Sequence, residues 1–237
     1  MDNFNLNARR DVTGMDEGMR AFFKQTYSYM ALALLVSAVT SVIVNQFFLA
    51  QVAALFTNSI GVISLIGVQF LIMFMIGRNT FKNPARAFGL LMAFAMVEGI
   101  TIGILLAIYN FGSVALAFAS ASAVFGGMAL YGTFTKRSLS GLRPILFGLL
   151  IGLVVASVVN VIFYNGIVML LISWVSVFVF ALYTAYDHQT LKAMYAQSAG
   201  MDTRGLAVNG ALRLYLDFIN LFFALLRIFG VAGGSRD

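Results

Sequence analysis

Apolar positions along this chain fall in long unbroken blocks separated by short polar stretches. A membrane-spanning helix needs about 20 apolar residues at about 1.5 Å rise each. Blocks of that kind occupy 28 to 49, 59 to 77, 87 to 109, 113 to 133, 145 to 164, 167 to 187 and 207 to 229. The pattern predicts an all-α membrane protein, a bundle of seven transmembrane helices. It divides the chain into an amino-terminal tail (1–27), one seven-span membrane domain (28–230) and a short carboxyl-terminal tail (231–237). No long linker, low-complexity tract or second domain interrupts it.

The polar separators alternate in charge. "QVAALFTN", "NFGS" and "YNG" contain no Lys or Arg, whereas "GRNTFKNPAR", "TKRSLSGLRP" and the stretch from His188 to Arg213 contain three each. With Arg9, Arg10, Arg20 and Lys24, 13 of the 15 cations fall on one side, leaving Arg227 and Arg236 for the other. By the positive-inside rule the amino terminus is cytoplasmic and, after seven spans, the carboxyl terminus is outside. The net charge of +6 is therefore a topology signal and not a nucleic-acid footprint.

Composition agrees with the pattern and narrows the chemistry. The chain is 61% hydrophobic and 10% charged, too apolar for a water-soluble domain. With no cysteine, disulfides, thiolate metal sites and thiol nucleophiles are excluded. The first 27 residues are too polar, and lack a small-residue cleavage site after a short apolar core, for a cleaved signal peptide. Arg9 and Arg10 stand about 18 residues ahead of the first apolar run, too far for a twin-arginine signal. "MRAFFKQTYSYM" is an amphipathic lead-in suited to the membrane surface, or equally a tail for partners to grip.

Gly99 and Gly103, and Gly148 and Gly152, fit G-x-x-x-G. That spacing clears one helix face for a close neighbour, and packing within the bundle is the expected use ahead of a dimer interface. Ionisable residues within spans cost several kcal/mol at about the bilayer centre and face the bundle interior or water. They are Glu98 in the third span, Asp187 at the end of the sixth, and Asp217 and Arg227 in the seventh. Asp217, Asn220, Ala224 and Arg227 recur at spacings of 3, 4 and 3, so they share a helical stripe that should not face lipid.

Asp187 and Asp217 each lie 15 positions from Asp202 in the last basic turn. Two antiparallel helices packed about that turn bring the two aspartates to similar depth. Carboxylates close together in poor solvent do not readily both ionise, so such a pair shares a proton and can act as a pH-sensitive clasp. Plainer roles exist for each residue. Asp187 can solvate a helix end, Asp217 can pair with Arg213 one turn earlier, and Arg227 can snorkel to the outer surface. Glu98 is either protonated and hydrogen-bonded or in a wet cavity. His188, the single histidine, reads as a solvated residue at the water boundary.

"YTAYDHQTLK" (183 to 192), "LYGTFTKRSLSGL" (130 to 142) and "LYLDFINLFFALLRIFG" (214 to 230) resemble the signatures of the Bax inhibitor-1 family, in its bacterial branch. The resemblance covers nearly the whole chain. It implies a bundle with the last helix central among the other six, lying in the bacterial plasma (inner) membrane, and a pH-regulated calcium leak. It also implies that Asp187 and Asp217 are the proton-sensing and gating pair, and that Arg78 in "MFMIGRN" latches the sixth-span aspartate in the closed form. Glu98, Asn220 and Arg227 are pore or cavity candidates. Asp187 and Asp217 would be the metal-binding groups, weakly, because calcium prefers about six to eight oxygens. No cofactor is expected.

Two other classes compete. An intramembrane aspartyl protease also uses paired aspartates on adjacent spans, but "LYLD" lacks the glycines of G-x-G-D. H-E-x-x-H, G-x-S-x-G and phosphate-binding glycine loops are absent as well, so the chain reads as no enzyme. The stronger rival is a membrane-embedded modulator that binds a membrane-bound ATP-dependent protease, as some bacterial relatives do, with the segment from Met1 to Lys24 as the grip.

Overall fold

The computed structural model describes residues 3–57, 59–198 and 202–233. Arg236 and most of the 231–237 tail thus lie outside the described residues, as do Met1 and Asp2. Eight α-helices follow in order: α1 (Asn3–Ile43), α2 (Leu49–Phe56), α3 (Ser59–Asn79), α4 (Pro84–Ile108), α5 (Phe111–Phe134), α6 (Arg143–Phe163), α7 (Gly166–Gln197) and α8 (Arg204–Gly233). A π-helical turn, Val44–Phe48, joins α1 to the short α2, and a 3-10 turn, Ser140–Leu142, leads into α6. Among the described residues there is no strand. The seven long helices match the seven apolar blocks, and Glu17–Ala54, α4, α5, Ser140–Asn160 and α7 are by length and composition alone able to cross a membrane. In hydrocarbon the helix is the structure that satisfies its own backbone polar groups.

Asparagines set the starts of three helices. The Asn83 side chain accepts from Arg86 N at 3.0 Å ahead of Pro84, Asn110 accepts from Ser113 N at 2.8 Å, and Asn165 accepts from Ile167 N and Val168 N. These caps occupy donors that would otherwise be orphaned at the helix ends. The basic turns gather at one end of the bundle. There Gln189 Nε2 donates to Arg137 O at 2.9 Å, Leu139 N donates to Gln189 Oε1 at 2.6 Å, and Gly205 sits tightly against the Thr80 carbonyl.

The main core forms along α8, where Leu214, Tyr215 and Leu221 are fully buried. This helix packs against α1, α3, α4, α5 and α7, while α6 faces it across a cavity. Helix α6 is held chiefly to α7, through a separate small cluster of Leu153, Ile172 and Val179. Outward faces carry exposed Phe74, Ile151 and Phe178, as a lipid-facing surface should.

The two glycine pairs part company. A Cβ on Gly99 would stand 2.6 Å from Ser37 O, and one on Gly103 would stand 2.9 Å from Ser41 O, so this pair seats α4 against α1. Around Gly148 and Gly152 a Cβ would meet nothing within 4 Å. The expectation of packing within the bundle fails for the α6 pair, whose glycines face outward. The lead-in segment packs against the bundle. It is continuous with α1, with Phe22 and Thr26 buried and Phe22 stacked on Tyr195 of α7 at 5.1 Å.

Candidate functional site

Helices α7 and α8 run side by side, and Gly210 lets them close. A Cβ there would lie 2.9 Å from Leu191 Cδ2 and 3.0 Å from Thr26 Cγ2. Asp187 and Asp217 are both buried, each 5% exposed, and both line one cavity of about 570 Å³ between α3, α6, α7 and α8. Asp217 lies within the electrostatic reach of Asp187 and Arg213.

Their hydrogen bonding is unequal. Arg213 Nη1 pairs with Asp187 Oδ1 at 3.3 Å, and Arg213 Nε donates to Asn209 Oδ1 at 3.1 Å. Arg213 therefore reaches across to α7 instead of satisfying Asp217 on its own helix. Asp217 Oδ2 is buried with no hydrogen-bond partner among the described residues. A buried polar atom left unpaired costs about 1–3 kcal/mol, more if charged, so this one is a feature of the site and not of its stability.

The cavity is long. It is lined by Asp187 and Arg213 at one end, Asp217 and Asn220 in the middle and Arg227 at the other. From Arg213 to Arg227 is 14 residues of helix, or about 21 Å at 1.5 Å per residue. Asn220 Nδ2 donates to Leu216 O at 2.7 Å, leaving its carbamoyl oxygen to the cavity. A second cavity, also about 570 Å³, opens at the basic end between Arg143, Phe147, Tyr183, Tyr186, Asp187, Thr190 and Arg213. Asp187 and Arg213 border both cavities, so their ion pair stands at the junction.

The remaining residues singled out from the sequence fall elsewhere. Glu98 is buried between α3 and α4, its carboxylate accepting from Gln69 Nε2, and it is not part of the long cavity's wall. Arg78 ends α3 with its guanidinium over the Phe74 ring at 5.6 Å. The cation paired with Asp187 here is Arg213, and Arg78 makes no ion pair among the described residues. His188 is buried rather than solvated, at 1% exposure. Its Nδ1 faces Thr184 O at 3.0 Å and its Nε2 faces the Tyr27 hydroxyl, within a cage of Phe23, Tyr27 and Phe125 rings. Tyr215, fully buried, meets Ser37 Oγ at 2.7 Å, and that hydroxyl lies 2.8 Å from Ala95 O, tying α8 to α1 and α4. Sequence spacing carried no signal for these contacts between distant helices.

In the turn ahead of α8, Asp202 accepts from the Arg204 backbone N–H at 3.0 Å and from its guanidinium at 2.9 to 3.1 Å. Those hydrogen bonds hold the exposed Asp202 carboxyl below its ordinary value. Among the described residues no three His, Asp or Glu side chains converge. Asp187 and Asp217 can therefore offer a cation two carboxylates, with Asn220 supplying a third oxygen from the same cavity wall.

Comparison with known proteins gives a consistent picture. Residues 19–234 match the family model described as "Inhibitor of apoptosis-promoting Bax1". The chain is 37% identical to the uncharacterized protein YrjE of Lactococcus lactis, covering 93% of this chain and 95% of the relative. It is 38% identical to the inner membrane protein YbhL of Escherichia coli, covering 90% and 92%. It is 35% identical to the uncharacterized protein RP147 of Rickettsia prowazekii, with 91% of each covered.

Proposed function

The chain belongs to the Bax inhibitor-1 family of membrane proteins, and on that premise we propose that it is a pH-sensitive cation leak channel, with calcium as its principal ion. The observation that carries the reading is the unpartnered Asp217 carboxyl oxygen in the wall of a cavity whose basic end is closed by the Asp187–Arg213 pair. On this reading α8 is the central helix of the bundle, the basic end and the amino terminus are cytoplasmic, and the carboxyl terminus is outside. The protein then has no catalytic role of its own.

Two buried carboxylates with one arginine between them give a simple cycle. At rest Asp187 is anionic and paired with Arg213, while Asp217 holds the proton, since an unpaired buried anion is strongly disfavoured. Loss of that proton places a second negative charge beside Asp187 and makes Arg213 serve both. Repulsion then parts the helices at the junction of the two cavities, and the freed carboxylates attract a divalent cation. Two carboxylates and an amide oxygen fall short of calcium's usual complement, so binding is weak and passage is favoured over retention. Flux rises with pH.

The test is calcium flux from purified protein in vesicles across a pH series, comparing wild type with Asp217→Asn and Asp187→Asn. Asp217→Asn should flatten the pH response. A wild type with no flux, or an Asp217→Asn profile that superimposes on wild type, refutes the reading and leaves the protease modulator as the class to pursue.

A further inference from the structure

The second cavity, at the basic end, collects more cation and donor groups than the ion path needs. Arg143 opens α6 and has no ion pair among the described residues. Tyr183, Tyr186 and Thr190, on one side of α7, line the same space, and their hydroxyls make no hydrogen bond among the described residues. Arg213 supplies a second guanidinium and Asp187 the single carboxylate. The wall therefore carries two positive charges against one negative, a surplus that matches a singly charged phosphodiester. Guanidinium and hydroxyl donors are the groups that bind phosphate oxygens.

The outer face of α6 continues the pattern towards the bilayer. Arg143, Phe147 and Ile151 are spaced four apart and so follow one face of the helix. All three are exposed, Phe147 at 60% and Ile151 at 49%. A cation at the membrane boundary with an apolar stripe below it has the polarity of a phospholipid. We infer that this cavity binds the phosphate of an anionic phospholipid from the leaflet at the basic end, its acyl chain lying along Phe147 and Ile151. Arg213, shared between this cavity and Asp187, connects the bound phosphate to the ion pair. The binding site itself stands whether or not ions pass along α8.

The experiment uses the full chain in phosphatidylcholine nanodiscs titrated with phosphatidylglycerol, with bound lipid read by native mass spectrometry after release. Wild type should retain one phosphatidylglycerol in preference to phosphatidylcholine. Arg143→Gln should weaken retention by about tenfold, the loss of one charge-assisted contact. Arg86→Gln, a basic-end cation outside the cavity, should leave it unchanged. Tyr186→Phe, which keeps every charge, should weaken it by about threefold and covers the case in which Arg143→Gln does not fold. Equal retention by wild type and both cavity variants overturns the inference, as does an equal loss in Arg86→Gln. Inorganic phosphate that binds as tightly as the lipid and displaces it overturns the choice of lipid.

Discussion

Replacing Arg213 by Gln removes the one cation paired with Asp187 among the described residues and leaves a carboxylate whose side chain is 7% exposed. Breaking a buried ion pair from one side typically costs about 3–5 kcal/mol. Two facts reduce that here. The Arg213 side chain is 41% exposed, so water already screens the pair, and its 3.3 Å separation is longer than an optimal charge-assisted contact. The expected loss is about 2 kcal/mol. Asp187→Asn should cost less, about 1 kcal/mol, because Arg213 keeps water and the Asn209 oxygen as partners. The double variant should lose less than the sum, with a coupling of about 1–2 kcal/mol. Equilibrium unfolding of the four proteins in one detergent, at a pH above the ordinary carboxylate range but below the onset of flux, measures the cycle. A coupling below about 0.5 kcal/mol, or a larger loss for Asp187→Asn than for Arg213→Gln, would show that the pair does not hold α7 to α8.

Further outcomes follow from packing and local charge. Gly99→Ala should destabilise the protein by about 1–3 kcal/mol, because its methyl would be driven into the Ser37 carbonyl, while Gly152→Ala on the open face should be neutral or stabilising by up to about 1 kcal/mol; thermal unfolding in detergent distinguishes them. Tyr215→Phe should cost about 1 kcal/mol, the hydroxyl contact to Ser37, in the same assay. The Asp202 carboxyl is held low by Arg204, so its contribution to the turn is present above its ordinary value and disappears as pH falls through its lowered one. An NMR titration of Asp202 should return to the ordinary value in Arg204→Ala, and an unchanged midpoint would refute the assignment.

Much of the architecture was legible because hydrocarbon imposes a fixed length on each helix, and the seven apolar blocks coincide with the seven long helices. The equal distance of Asp187 and Asp217 from Asp202 likewise set their depth, and both line one cavity. Helix rotation was not legible. Whether Arg213 turns to Asp217 on its own helix or to Asp187 on the next depends on how closely α7 and α8 approach, and the absent Cβ of Gly210 leaves room there for Leu191 and Thr26. His188 was misplaced for a related reason. The end of the sixth apolar block suggests water beyond Asp187, but α1 runs on beside α7 and covers the imidazole with Phe23 and Tyr27. The two G-x-x-x-G pairs are identical as patterns, and only the presence of α1 opposite one of them separates their roles.

The attachment of α6 sets how the bundle can deform. Its cluster of Leu153, Ile172 and Val179 is separate from the main core along α8, and a Cβ on Gly148 or Gly152 would meet nothing within 4 Å. It is hung on α7 like a shutter on one post. Swinging it outward would widen the space in front of Asp217 while leaving the main hydrophobic cluster along α8 assembled.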